Sequence, residues 1–389
     1  MSNSNLKFSK AMKKVSPFRV MTVMDRASAL EAQGKKVIHM EVGEPDFTTA
    51  PQILNAAKMA MDNGKTQYTL APGIFELREK IADRYSQKYN VEINPKRILI
   101  TPGASGGLTL LANMLVSPED GILIPDPAYP CVRNFVHMLS AEPQLIPVSL
   151  EQNFQPTLQQ IVQTRKENTV GIWLASPSNP TGTILGREEM AAISQWADTN
   201  GMHLLVDEIY HGLQYVSDVP SILEIYDNAF VVGSFSKYFG MTGWRLGWII
   251  VPEGYIETAR ILAQNFFISA PSISQFAALA AFTEEAEEVF QERRVAFENR
   301  KYFLTSELAS LGFIIPDEIH GAFYVYADIS KFSQDSELFC SNLLNKQKVA
   351  ITPGTDFGQH KAKQHVRFAF TTSMADLSIG VERLKATLK

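Results

Sequence analysis

The densest group of chemically useful side chains is Ser234-Phe-Ser236-Lys237-Tyr-Phe-Gly240-Met-Thr-Gly243-Trp244-Arg245-Leu-Gly247. The apolar run Phe230–Ser234 feeds a turn that carries two hydroxyls and a lysine. A lysine at a strand end can be directed into a cleft, where desolvation lowers its pKa and frees an amine nucleophile. Ser234, Ser236 and Arg245 together suit a phosphate, because a guanidinium offers a planar fork of donors. In isolation, Ser-x-Ser-Lys reads better as one surface lysine among many. Three further segments change that weighing.

Asp207-Glu208-Ile209-Tyr210 follows the apolar run His203–Val206. An aspartate at the carboxyl end of a strand stands where open parallel sheets bind ligands. A carboxylate beneath a pyridine nitrogen keeps that nitrogen protonated and makes the ring an electron sink. Tyr210 can donate to a phenolic oxygen of the same ring. Alone, Asp207 reads equally as a helix cap. The second segment, Ser176-Pro-Ser-Asn179-Pro180-Thr181-Gly182, follows the run Thr169–Ala175 and reads as an ordinary β-turn or, functionally, as a turn that places the Asn179 amide at that oxygen. The third, Thr101-Pro-Gly103-Ala104-Ser105-Gly106-Gly107, precedes a helical pattern at Leu108–Leu115. Small residues at a helix N-terminus expose N–H groups and the positive dipole end to a phosphate. The same loop fits G-x-S-x-G, which keeps a serine hydrolase using Ser105 as a rival.

The elements that must position these groups alternate. Ile98–Thr101, Gly121–Ile124, Thr169–Ala175, Met202–Asp207, Phe230–Ser234 and Leu246–Val251 are short apolar runs, several of them suited to burial on both faces. Helical patterns such as Arg187–Trp196 lie between them. Pro51 opens another helix, with Ile53, Ala56, Ala57 and Ala60 on one face and Gly64 as its left-handed stop. The pattern predicts an α/β fold with a mostly parallel sheet. Beyond about residue 285 a charged helix, Glu285–Leu311, leads to strands at Gly321–Tyr326 and Val366–Phe370. These predict a smaller α+β domain. The expected division is an N-terminal arm over 1–45 packing with the small domain, a large domain over 46–284 and a small domain over 285–389.

The formal net charge of -5 argues against nucleic acid as the main partner, since phosphate backbones select clustered Lys and Arg. Neither a signal-peptide core nor an apolar run long enough for a bilayer is present, which predicts a cytosolic protein without a membrane partner. Cys131 and Cys340 suggest neither a disulfide framework nor a zinc site, and no metal is expected.

Taken together these segments resemble the class I and II aminotransferases, the aspartate-aminotransferase-like enzymes of fold type I that depend on pyridoxal 5′-phosphate. The likeness also takes in Val42-Gly43-Glu44-Pro45-Asp46-Phe47, Tyr68–Gly73 with Leu77-Arg78, and Val366-Arg367-Phe368. The resemblance implies that Lys237 forms a Schiff base with the cofactor and later shuttles a proton. It implies that Asp207 pairs with the ring nitrogen, and that Tyr210 and Asn179 bond the ring oxygen. Tyr129 resembles the stacking aromatic; its other reading is a core tyrosine. Ala104, Ser105, Ser234, Ser236 and Arg245 resemble the phosphate cradle. Tyr68 resembles a tyrosine that reaches the phosphate across a dimer interface, which implies a homodimer. Arg367 resembles the clamp on the substrate α-carboxylate, assisted by Gly43 and Asn179. Arg367 lies in an apolar run, where a buried charge needs a partner and an incoming carboxylate supplies one. Many relatives have a polar or acidic residue where Gly106 stands here. The implied reaction is ping-pong transfer of an amino group from an L-amino acid to a 2-oxo acid. A carbon–sulfur β-lyase or an oxoamine synthase shares the fold and the lysine. Phe18, Tyr68 and Phe266 are candidates for an apolar side-chain pocket, or for core.

Overall fold

The computed structural model describes residues 8–388. The first seven residues of the expected arm, and Lys389 at the far end, lie outside that range. Twelve strands occur among the described residues: β1 (Ile38–His39), β2 (Ile98–Thr101), β3 (Gly121–Asp126), β4 (Glu142–Pro147), β5 (Thr169–Ala175), β6 (His203–Asp207), β7 (Phe230–Ser234), β8 (Gly247–Ile250), β9 (Tyr324–Asp328), β10 (Val349–Ala350), β11 (Thr352–Pro353) and β12 (His365–Ala369). Seven of them form one sheet in the order β2-β8-β7-β6-β5-β3-β4. Strands β3 to β7 run parallel, and β8 runs antiparallel to both of its neighbours.

The sheet is buried on both faces because its strands are apolar at successive positions. Side chains alternate between faces along a strand. Ile98, Ile100, Leu204, Val206 and Val231 therefore enter one core, while Leu99, Leu205, Phe230 and Val232 enter the other. Helix Arg187–Thr199 covers the first face through Met190, Ile193 and Ala197. Helix Gly103–Leu115 covers the second through Leu108, Leu111 and Leu115. Each large apolar side chain so buried contributes about 1.5–3 kcal/mol.

Two differences from expectation bear on function. Strand β4 is an additional edge strand, half-exposed and bounded by prolines at Pro143 and Pro147, so its apolar pattern is weak. The helix after β2 begins at Gly103, five residues before Leu108. The glycine-rich segment is thus the helix's own first turn. Helix Pro51–Asp62 buries Ile53, Ala57 and Ala60, with Ala56 only partly covered, and Gly64 takes a left-handed φ of 68° just beyond it.

The long helix Glu284–Leu311 is capped by Thr283 and carries Glu284, Glu285 and Glu287 in its first turn, next to the positive dipole end. It leads to a three-stranded antiparallel sheet, β11-β12-β9. Strand β1 pairs in parallel with β10. The N–H of Ala369 in β12 also donates to the carbonyl of Met40 at 2.8 Å. The segment after β1 is therefore held beside Arg367. Both cysteines are free.

Candidate active site

The carboxyl edge of the seven-stranded sheet gathers the chemistry. Asp207 is the last residue of β6 and Ser234 the last of β7. Asn179 follows β5 by four residues, and Tyr129 follows β3 by three. Strand β8 is antiparallel, so its start lies at this same edge: Gly247 is in register with both Thr101 and Ser234. Arg245, two residues earlier, is delivered there too. Of the thirteen residues singled out above, twelve line a single cleft of about 580 Å³. Tyr68 does not; it is 79 % exposed on the surface. Phe266, 44 % exposed, is also away from the cleft, whereas Phe18 lines it.

Partly buried Lys237 donates from Nζ to the Gly43 carbonyl at 2.7 Å. Its pKa is lowered to about 8, chiefly by burial and then by the positive charge of Arg367, with Glu44 opposing. Asp207 is buried and accepts the Ile209 N–H at 3.1 Å. Burial raises its pKa to about 7, against the pull of that N–H and of Lys237. A carboxyl so placed gains strongly from a cation that pairs with it.

Arg367 is 3 % exposed. It donates to Asn179 Oδ1 at 2.9 Å and Thr352 Oγ1 at 3.5 Å, and also to the Glu41 carbonyl. All of these acceptors are uncharged, and Nε has no partner. Its guanidinium carbon lies 4.3 Å from the Tyr324 ring centroid and 4.7 Å from that of Phe357. The chain thus supplies more partners than the sequence suggests, yet among the described residues no carboxylate lies within hydrogen-bonding reach of the charge. Asn179 spends its carbonyl oxygen on Arg367, which leaves its amide N–H groups to donate elsewhere.

The phosphate-like corner is built from backbone and hydroxyls. Helix Gly103–Leu115 has Pro102 as its N-cap, without a side-chain cap bond, so its first N–H groups are free to meet an anion. A Cβ on Gly103 would stand 2.5 Å from Arg245 Nη2, so only glycine lets the guanidinium settle against this turn. Ser236 N–H donates to Ser234 Oγ at 3.0 Å, fixing the turn that carries Lys237.

Tyr324 is the main residue that sequence reasoning missed. Its hydroxyl bonds the Tyr210 hydroxyl at 2.9 Å, and it lines the cleft. A Cβ on Gly43 would come within 1.7 Å of that hydroxyl, which is why this close approach needs glycine. The available signal was its alternation with Tyr326, which pairs in register with Arg367, so Tyr324 and Arg367 share a face. Among the described residues no histidine lines the cleft, so Ser105 has no imidazole base there and the hydrolase rival lacks its machinery. A larger recess of about 900 Å³ lies over Lys88, Gln214 and Arg294. Its arginines are already engaged, Arg84 with Glu287, Arg294 with Glu298 and Arg187 with Glu224, and it does not reach Lys237.

A family model described as aminotransferase class I and II matches residues 35–384. The chain is 37 % identical over 383 residues to the (5-formylfuran-3-yl)methyl phosphate transaminase of Methanocaldococcus jannaschii, covering 98 % of this chain and 99 % of that protein. It is 36 % identical to the valine–pyruvate aminotransferase of Mycobacterium tuberculosis, covering 96 % and 97 %. A crystal structure of a Mycobacterium tuberculosis aminotransferase superposes with a TM-score of 0.95 at 35 % identity, covering 99 % of both chains. The Thermus thermophilus aspartate aminotransferase with maleate gives 0.93 at 29 % identity, covering 99 % and 100 %. Matched along nearly its whole length in sequence and in fold, the chain belongs to the class I and II aminotransferases and is a transaminase.

Proposed function

We propose that the cleft holds pyridoxal 5′-phosphate and that the enzyme moves an amino group from an L-amino acid to a 2-oxo acid by a ping-pong route. The observation that carries this reading is the meeting of Lys237, Asp207, Arg245, Ser234 and a free helix N-terminus at one sheet edge. The donor set fits the group: hydroxyls, N–H groups and a guanidinium for a phosphate, a buried acid for a ring nitrogen, and an amine of lowered pKa for an aldehyde. When bound, pyridoxal phosphate supplies the aldehyde that condenses with amines and the ring that withdraws electrons from the substrate α-carbon.

Lys237 would hold the cofactor through Nζ, and its free amine is the group placed to take and return the substrate's α-proton. A pKa near 8 leaves a useful fraction of that amine unprotonated near neutral pH. Asp207 holds a proton on the ring nitrogen. Tyr210 and the Asn179 amide would donate to the ring oxygen, and Tyr129 would offer its face to the ring. Ser234, Ser236, Arg245 and the N–H groups at Ala104 and Ser105 hold the phosphate. Arg367 receives the α-carboxylate, its missing counter-ion, with the Gly43 backbone and Asn179 beside it. Residues 46–284 carry the cofactor, and the arm with 285–389 supplies the substrate side. Tyr68 and Leu70, 79 % and 75 % exposed, support a homodimer in which Tyr68 reaches the second copy's phosphate. Two free cysteines support a cytosolic location.

Borohydride treatment of the holoenzyme followed by peptide mapping tests this reading. A pyridoxyl adduct on Lys237 is expected; an adduct on another lysine, or none, sinks the assignment.

A further inference from the structure

Among the described residues, the cleft is lined by three cations: Lys237, Arg245 and Arg367. On the reading proposed above each is committed, to the cofactor aldehyde, to its phosphate and to the substrate α-carboxylate. The rest of the lining includes the first turn of the N-terminal arm's helix Arg19–Glu31. Phe18, Val20 and Met21 line the cleft there, with Val42. The Phe18 ring meets Tyr129 edge-on at 5.9 Å.

This wall is held in place. The N–H groups of Arg19 and Val20 donate to the two oxygens of Asp356 at 2.8 and 3.2 Å. The Arg19 guanidinium is paired with Glu337 at 2.7 Å and does not line the cleft. Two exposed charged side chains line the cleft: Arg245, committed to the phosphate on the reading above, and an acid, Glu44, whose Oε1 accepts from Thr242 Oγ1 at 2.6 Å. A second carboxylate on a substrate would lose water against apolar side chains and meet an anion instead of a cation.

We infer that the amino donor carries an uncharged apolar side chain, aliphatic or aromatic, and that Phe18, Val20, Met21 and Glu44 select against dicarboxylates. This inference rests on the cofactor reading above. The test is single-turnover conversion of the holoenzyme, followed by cofactor absorbance, with L-leucine, L-methionine and L-phenylalanine against L-aspartate and L-glutamate. The best apolar donor is expected to exceed both acidic donors in kcat/KM by about 100-fold or more. Aspartate or glutamate within about tenfold of that donor overturns the inference while leaving the cofactor reading intact. Unchanged absorbance with every donor overturns both. Met21 is 44 % exposed and tolerant of a longer side chain, so Met21→Arg provides a second arm. It is expected to move the acidic-to-apolar ratio toward the acids by about tenfold. A ratio that does not move removes the arm from specificity.

Discussion

The two halves of the cleft are built by different means. The half assigned to the cofactor stands on one buried sheet, within residues 101–247, and its side chains sit at strand ends or within a few residues of strands fixed by ladder hydrogen bonds. The half assigned to substrate is assembled from distant pieces: the arm at Phe18–Met21, Gly43, Tyr324 and Arg367. It is tied to the first half by side-chain bonds, such as Arg367 to Asn179 across 188 residues. A sheet edge gives fixed geometry for chemistry every substrate shares. A wall of side chains on the arm and the smaller sheet can change without disturbing that edge. Variants in the first half should therefore abolish turnover, and variants in the second should change which substrates are turned over, or how tightly.

The largest expected effect is Lys237→Ala, which should lower transamination by about 10⁴-fold or more and eliminate the borohydride-fixed adduct. Retention of even a hundredth of the turnover, or a surviving adduct, would break the division at its strongest point. Arg367→Ala should weaken substrate recognition by about 2–5 kcal/mol, seen mainly as a raised KM with cofactor content unchanged. Arg367→Lys should recover little of it, because an ammonium cannot reproduce the planar fork. An unchanged KM for every donor would remove Arg367 from the substrate half.

The pH dependence separates the halves differently. The Lys237 ammonium is not a nucleophile, and burial has lowered its pKa from 10.5 to about 8. Cofactor uptake by apoenzyme should thus quicken as pH rises through about 8 and level off above it, whereas an ordinary lysine would still be gaining past pH 9. A rise centred near 10.5 in stopped-flow traces would contradict the desolvated position of the amine. The smallest expected change is Tyr324→Phe. Loss of its bond to Tyr210 should cost about 0.5–1.5 kcal/mol, a few-fold in kcat/KM, with cofactor still bound. A loss as large as that of Arg367→Ala would give Tyr324 a role beyond orienting Tyr210.

The cofactor half was legible because it is local. Apolar runs of strand length end in Asp207 and Ser234, and glycines open a helix, so each signal lies within a dozen residues of its structural cause. Even there, a run of apolar residues carries no direction: that β8 is antiparallel, and so brings Arg245 to the edge, emerges only from the pairing. β4 escaped notice because half-exposed strands with prolines lose their alternation. Tyr68 and Phe266, candidates for an apolar pocket or for core, both lie on the surface of this chain, the position that a tyrosine reaching across a dimer interface requires of Tyr68.

By itself, the sequence determined the α/β alternation, the order of the motifs and the side chains able to grip a phosphate, hold a ring nitrogen and supply an amine. These follow from periodicity and from chemistry carried on adjacent residues. Only the tertiary structure decided that Tyr324 meets Tyr210, that Arg367 is buried among uncharged acceptors, and that apolar residues of the arm line the same cleft as Glu44. The reason is physical: contacts between residues far apart in the chain depend on how the sheets and the arm pack, and which distant residues meet leaves no periodic trace in their order.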